Sequence, residues 1–147
     1  MPELPGPHSK HPARLAAWRS IDAVARGDKQ AWLDNFADDA IVQDPIGKSA
    51  IDPSGEGHRG KAAIERFWDA NIASVRPLFN LQSSICSGNE CANVGTLTIQ
   101  FPDGLITQIY GVFIYAVNDD GKVAALRTFW EVEDMKVHAP PAAWAEK

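Results

Sequence analysis

Residues 105–123 read Leu-Ile-Thr-Gln-Ile-Tyr-Gly-Val-Phe-Ile-Tyr-Ala-Val-Asn-Asp-Asp-Gly-Lys-Val. A run of β-branched and aromatic residues that stops at Asn118-Asp119-Asp120-Gly121 is a strand entering a hairpin turn. Within it Tyr110, Val112, Ile114 and Ala116 alternate with Gly111, Phe113, Tyr115 and Val117. Successive strand residues point to opposite faces, so both faces of this strand are apolar and both need cover. The neighbouring sequence supplies more of the same. Strands are expected at Phe79–Ser87, Cys91–Phe101, Leu105–Val117 and Val123–Glu133, joined by turns at Gly88-Asn89, Pro102-Asp103-Gly104 and residues 118–121.

The half before this meander is mostly helical. Pro12 suits a first helical turn, Leu15, Trp18, Ile21, Val24 and Ala25 follow at helical spacing, and Gly27 ends the pattern. Asp28 caps a short second helix holding Trp32, Leu33 and Phe36. Ala40 to Asp44 reads as a brief strand stopped by Pro45, and a Gly-, Pro- and Ser-rich loop runs from Gly47 to Arg59. From Gly60 a third helix carries Ala63, Ile64, Phe67, Trp68, Ile72 and Val75 before Pro77 closes it. Helices segregated from hairpin strands specify an α+β domain with one strongly curved, mainly antiparallel sheet. The helices can cover one face of that sheet. A second copy of the chain is expected on the other, giving a homodimer through the outer face.

At 147 residues the chain suits one domain, with a flexible leader over 1–10, the domain over 11–137 and a loose tail over 138–147. A net charge of −5 argues against nucleic acid or an anionic membrane as partner. No apolar run approaches the roughly 20 residues of a membrane span. The start, Met1-Pro2-Glu3-Leu4-Pro5-Gly6-Pro7, has neither the basic nor the apolar region of a secretory signal, so a cytoplasmic location is expected. Cys86 and Cys91 flank the Gly88-Asn89 turn and can approach across a hairpin, but in that compartment two free thiols are expected. His8, His11 and His138 lie in or near the ends and His58 in the glycine loop, so no metal site is expected. Gly55-Glu56-Gly57-His58-Arg59-Gly60 has the letters of a dinucleotide fingerprint. A loop precedes it and hairpins follow, whereas that site needs a strand before it and a parallel strand after it. Gly55 and Gly57 leave open a hinged lid.

Asp44, in Val42-Gln43-Asp44-Pro45-Ile46-Gly47, is the residue best placed for chemistry. A carboxylate held beside an apolar wall loses solvation, which raises its pKa toward the range of a general base. An aspartate before proline also commonly caps its own turn, so two readings stand.

The run Phe36-Ala37-Asp38-Asp39-Ala40-Ile41-Val42-Gln43-Asp44-Pro45-Ile46-Gly47 resembles the segment bearing the catalytic aspartate of bacterial Δ5-3-ketosteroid isomerases, in the NTF2-like or SnoaL-like superfamily. The resemblance extends to Gly27-Asp28, to Gly60-Lys61-Ala62-Ala63-Ile64-Glu65-Arg66-Phe67-Trp68, to residues 111–118 and to Gly121-Lys122-Val123. Mycobacterial members share the Asp-Pro-Ile-Gly-Lys-Ser run. It implies a cystatin-like cone: three N-terminal helices packed on the curved sheet around an apolar pocket, usually as a dimer.

It also implies that Asp44 moves a proton next to the carbonyl of a flat apolar ketone, steroid or polyketide-like, with no cofactor. The family's two oxyanion donors, a helix tyrosine and a strand acid, fall on Ser20 and Phe113, which departs from the pattern. Tyr115 shares the strand face of Phe113 and is the candidate replacement donor. The resemblance also places Thr128 and Trp130 inside the pocket. Wall packing is the other reading of Tyr115 and Trp130. Two alternatives to isomerisation follow: binding of a small hydrophobe without turnover, or another reaction of the fold such as epoxide hydrolysis, whose acids surround an arginine.

Overall fold

The computed structural model describes residues 10–138, so the expected leader up to residue 9 and the tail from 139 lie outside the described residues. The first helix, α1 (Pro12–Arg26), begins where the His11 side chain accepts the Ala13 N–H and ends at Gly27, whose φ of 67° suits a residue without a β-carbon. His11 is thus the N-terminal cap of α1. The buried face of α1 is Ala13, Ala16, Ala17, Ser20, Ile21 and Ala23, with Arg14 beside them. Of the expected face Ile21 is buried and Val24 packs against the core, whereas Leu15 is 38% exposed. Hydrophobic periodicity follows the larger side chains, but alanines are what let a helix lie close against a sheet.

The second helix, α2 (Lys29–Asp34), is capped by Asp28, which accepts the Ala31 N–H at 3.0 Å. Phe36 lies beyond it, at the start of β1 (Phe36–Gln43). The cause is Asn35, 4% exposed, whose side chain donates to Ala16 O at 2.8 Å and accepts from Arg19 at 2.9 Å. That double tether ends the helix and turns the chain into the strand. After the loop come β2 (His58–Arg59) and α3 (Gly60–Asn71), which stops short of Ile72 and Val75.

The meander follows as β3 (Arg76–Ser87), β4 (Glu90–Gln100), β5 (Ile106–Val117) and β6 (Val123–Phe129). A single turn of tight helix at Val132–Asp134 leads to β7 (Lys136–His138), which pairs with the start of β5. The last long strand therefore ends at Phe129 rather than Glu133, because β7 takes over the edge of β5. The sheet order is β2-β1-β6-β5-β4-β3, and β1 runs parallel to β6 while the other pairs are antiparallel.

The sheet curls around α1–α3. Gly95 stands opposite Gly111 on the inner face, and the β3–β4 register breaks between Leu81 and Ser83 beside it. A β-carbon at Gly95 would lie 2.3 Å from Asn80 O, so the close approach of β3 needs glycine there. Trp32, 1% exposed, anchors the helix side, with its ring 4.7 Å from Phe36 and 5.2 Å from Trp68. On the outer face Leu78, Ile85 and Tyr110 are each at least 60% exposed in the single chain.

The loop before α3 carries its own internal hydrogen bonds. Asp52, 6% exposed, accepts the Gly57 N–H at 2.8 Å and the Ser54 hydroxyl at 3.2 Å. A β-carbon on Gly57 would meet Gln43 Cγ at 2.8 Å. Among the described residues no helix is long and apolar enough to cross a membrane.

Gly95→Ala is expected to destabilise the fold by about 1–3 kcal/mol, the usual range for overpacking a tight site. Urea unfolding monitored by tryptophan fluorescence measures it, and an unchanged midpoint would show that β3 can move away from β4 freely.

Candidate functional site

Between the helices and the concave face of the sheet lies a cavity of about 490 Å³. That size is within the usual range of small-molecule sites. Its wall is largely apolar, built from side chains such as Phe67 of α3, Phe79 of β3 and Ile99 of β4. Asp44, Ser20, Phe113, Tyr115, Thr128 and Trp130 all line it. Asp44 is the one charged side chain among the described lining residues, and no arginine joins it.

The parallel pairing of β1 with β6 positions Asp44. Val42 stands opposite Leu126 and Gln43 opposite Arg127, so Asp44 comes level with Thr128. The Ile46 N–H continues the contact by donating to Thr128 O at 3.0 Å. Thr128 Oγ1 donates to Asp44 Oδ1 at 2.5 Å, and Trp130 Nε1 donates to the same oxygen at 3.2 Å. No described group hydrogen-bonds Oδ2. The carboxylate is therefore held at one oxygen and open at the other, and its side-chain bonds go to β6 and to Trp130 beyond it rather than to its own turn.

Asp44 keeps some accessible surface because it lines the cavity, yet protein encloses it otherwise. Burial pushes its pKa up, and the hydrogen bonds from Thr128 and Trp130 oppose the shift without cancelling it. The positive form of His58 opposes it as well, more weakly. His58 stands opposite Val42 on β2, with its ring 5.0 Å from Phe67.

A second polar group lies on α1. Ser20, 1% exposed, accepts the Tyr115 hydroxyl at 3.2 Å and the indole N–H of Trp32 at 3.2 Å. A hydroxyl has two acceptor positions and one proton. With both acceptors occupied, the Ser20 proton is the part left for the cavity, whereas the Tyr115 proton is engaged by Ser20. Burial raises the Tyr115 pKa strongly, helped by the charge of Asp44, so the phenol stays protonated. Phe113, 3% exposed, brings no polar atom; its ring packs edge-on against Phe79 at 5.4 Å.

The six residues read from the sequence thus line one cavity, but two groups that act on them were not legible there: Trp32, which also lines the cavity, and His58, which lies outside it and reaches Asp44 through its charge. Trp32 read only as helix packing, and nothing in the sequence ties its indole to a serine twelve residues away. His58 lies in the glycine motif, whose loop reading gives no sign of its nearness to Asp44. Among the described residues no cluster of potential metal ligands occurs.

Residues 17–126 match the model of the SnoaL-like domain family. The chain is 27% identical over 124 residues to a steroid Delta-isomerase of Nocardioides simplex, covering 84% of this chain and 94% of that protein. It is similar in structure to the Delta 5-3-ketosteroid isomerase from Mycobacterium sp., at 36% identity and a TM-score of 0.84, over 87% of this chain and 99% of the other. A Mycobacterium tuberculosis protein in complex with estradiol-17beta-hemisuccinate matches at 34% identity and a TM-score of 0.83, over 86% and 99% of the two chains.

A carboxyl whose pKa is higher in the folded than in the unfolded chain contributes most stability when protonated, and that contribution is lost as pH rises through the folded pKa. For Asp44 the loss begins near its ordinary value of 3.8 and is in force at neutral pH. Asp44→Asn retains an oxygen for Thr128 and Trp130 and removes the buried charge. It is expected to raise the Tm near neutral pH and to leave it unchanged in acid below about pH 3. Calorimetry across pH measures this, and a lower Tm at neutral pH would mean that the charge is well solvated.

Proposed function

The chain belongs to the SnoaL-like domain family, and from that premise we propose that it binds a flat apolar ketone, steroid or polyketide-like, with Asp44 as general base for an intramolecular proton transfer. Membership of the family does not by itself settle the reaction, because one fold hosts several. The observation that carries the reading is the Asp44 carboxylate: one oxygen tethered by Thr128 and Trp130, the other open on an apolar cavity, and a pKa raised by burial.

In this mechanism the ketone oxygen accepts a hydrogen bond from Ser20. The free oxygen of Asp44 takes a proton from the carbon between the carbonyl and the isolated double bond. The negative charge moves to the ketone oxygen as a dienolate, and Asp44 returns the proton at the far end of the new conjugated system. Tyr115 and Trp32 act through Ser20 by filling its acceptor positions, which aims its proton and strengthens it as a donor. The donor assigned to Tyr115 in the sequence is thereby shared: Tyr115 supplies the alignment and Ser20 the contact. No cofactor enters the step, and the reading places the protein in the cytoplasm.

A specific observation favours a second reading, binding without turnover. Phe113 puts a phenyl ring where the resemblance implies an acid donor, so one oxyanion contact is absent. An epoxide-opening reaction has less support, since the described cavity wall offers one carboxylate and no arginine.

The test is a Δ5-3-ketosteroid mixed with purified protein while the conjugated enone is followed by ultraviolet absorbance. Asp44→Asn is expected to lower kcat by about 10²–10⁴, the usual contribution of a general base. Ser20→Ala is expected to lower it by about 10²–10³, the usual cost of one oxyanion donor. Turnover that survives Asp44→Asn would remove the base assignment. Steroid quenching of tryptophan fluorescence without turnover would favour the binding reading, because Trp32 and Trp130 line the cavity.

The reading includes a homodimer through the outer sheet face. Tyr110 at 60% and Phe129 at 46% exposure give that face an apolar surface of the kind that marks interaction sites. Light scattering at micromolar concentration is expected to give twice the chain mass, and Phe129→Asp to give the single-chain mass. A monomer for the unaltered protein would remove this part.

A further inference from the structure

Away from the cavity contacts made by Asp44 and Ser20, the two cysteines face each other. Cys86 on β3 stands directly opposite Cys91 on β4. Opposed residues in an antiparallel pair have α-carbons about 4.5–5.5 Å apart, inside the range a disulfide requires. The pair lies one step beyond Ser87 and Glu90, which close the Gly88-Asn89 turn. Pairs alternate between exchanging backbone hydrogen bonds and not exchanging them, and the pair closing a two-residue turn is of the first kind. Cys86 and Cys91 are then of the second kind, in which the side chains approach most closely. Both are free thiols here. Cys91 is fully buried, while Cys86 is half-buried and is the one solvent reaches.

A line of hydrogen bonds joins this pair to the cavity wall. Arg14 Nε donates to Ser84 Oγ at 3.0 Å, Ser84 Oγ contacts Cys91 Sγ at 3.3 Å, and the Cys91 thiol donates to Asn93 Oδ1 at 3.7 Å. Asn93, 0% exposed, donates in turn to Phe113 O at 3.2 Å. Phe113 lines the cavity. The Cys91 proton is thus one link in a chain that ends at the backbone carbonyl of a cavity-lining residue.

The geometry points to a reversible dithiol–disulfide modification site at Cys86 and Cys91, with a hydroperoxide as its oxidant. The Cys86 thiolate attacks the peroxide, the O–O bond breaks and water or an alcohol leaves, giving a sulfenic acid. The Cys91 sulfur then attacks the Cys86 sulfur, the S–O bond breaks and water leaves. Two thiols are oxidised to one disulfide as one hydroperoxide is reduced.

The pair encloses only four residues, so the bond constrains little of the unfolded chain and is readily reduced again. Forming it removes the Cys91 proton from Asn93 and cuts the chain to Phe113. Burial and the hydrogen bond with Cys91 push the Cys86 thiol up to about 11, which keeps the thiolate scarce and the pair reduced under mild conditions. The backbone N–H and the charge of Arg14 oppose that shift.

The site stands independently of the proposed isomerisation, and so does its test. The full chain is treated with hydrogen peroxide, unfolded, alkylated with iodoacetamide and weighed by mass spectrometry. The expected product has lost two hydrogens, takes up no alkyl group, and regains two alkylation sites after dithiothreitol. Cys86→Ser, a change at a half-buried position, is expected to abolish that product and leave Cys91 alkylated. Full alkylation of both thiols after peroxide, a sulfinic acid on one with the other still free, or a bridge between two chains would each overturn the proposal.

Discussion

A sheet can wrap around an empty space only where its strands are allowed to bend, and here the bend depends on missing β-carbons. Gly95 faces Gly111 across β4 and β5, with the β3 register break alongside. The backbone of β3 lies so close over Gly95 that any side chain would strike Asn80 O. Without that approach the concave face would open and the helices would have to fill it. The alanine face of α1 complements the same constraint from the other side, because short side chains bring the helix near the sheet without occupying the space between them. The cavity is therefore a consequence of what is left out at two glycines and several alanines.

That cavity sets the electrostatics of Asp44, the one charge on its wall among the described residues. Placing an ionised carboxylate in an apolar space is unfavourable unless it is hydrogen-bonded. Thr128 and Trp130 meet the need at one oxygen, and their donation keeps the shift from running further upward. Among the described residues the second oxygen has no hydrogen-bond partner and faces the cavity. The same logic holds on α1, where Ser20 has both acceptor positions filled and only a proton to offer. The Asp44 carboxylate and the Ser20 hydroxyl are thus both oriented by hydrogen bonds from neighbouring side chains. Their charges and dipoles are fixed in advance, which is the arrangement that makes a polar site effective at low dielectric.

Much of this was legible from local patterns. The Asn118-Asp119-Asp120-Gly121 turn and the two apolar faces of residues 106–117 require a hairpin sheet, and Pro12, Gly27 and Asp28 mark helix ends by backbone geometry alone. Phe113 and Tyr115 share a face because side chains alternate along any strand. Asp44 stood out because it ends an apolar strand at a proline.

What sequence left undecided are relations between distant segments. Periodicity located α1 and placed Ile21 and Val24 inward, but not the alanines that fill most of the buried face, since large side chains dominate the pattern and close packing selected the alanines. Nothing local announces that β1 runs parallel to β6, yet that pairing alone brings Asp44 beside Thr128, eighty-four residues away. Tyr115 was readable as a wall residue; that its proton goes to Ser20 depends on how α1 sits on the sheet. Local covalent geometry fixes turns, caps and faces, so sequence determined the elements and the identity of the polar residues. Hydrogen-bond partners depend on packing across the whole chain, so only the tertiary structure decided which oxygen of Asp44 is bonded by Thr128 and Trp130 and which hydroxyl accepts from Tyr115.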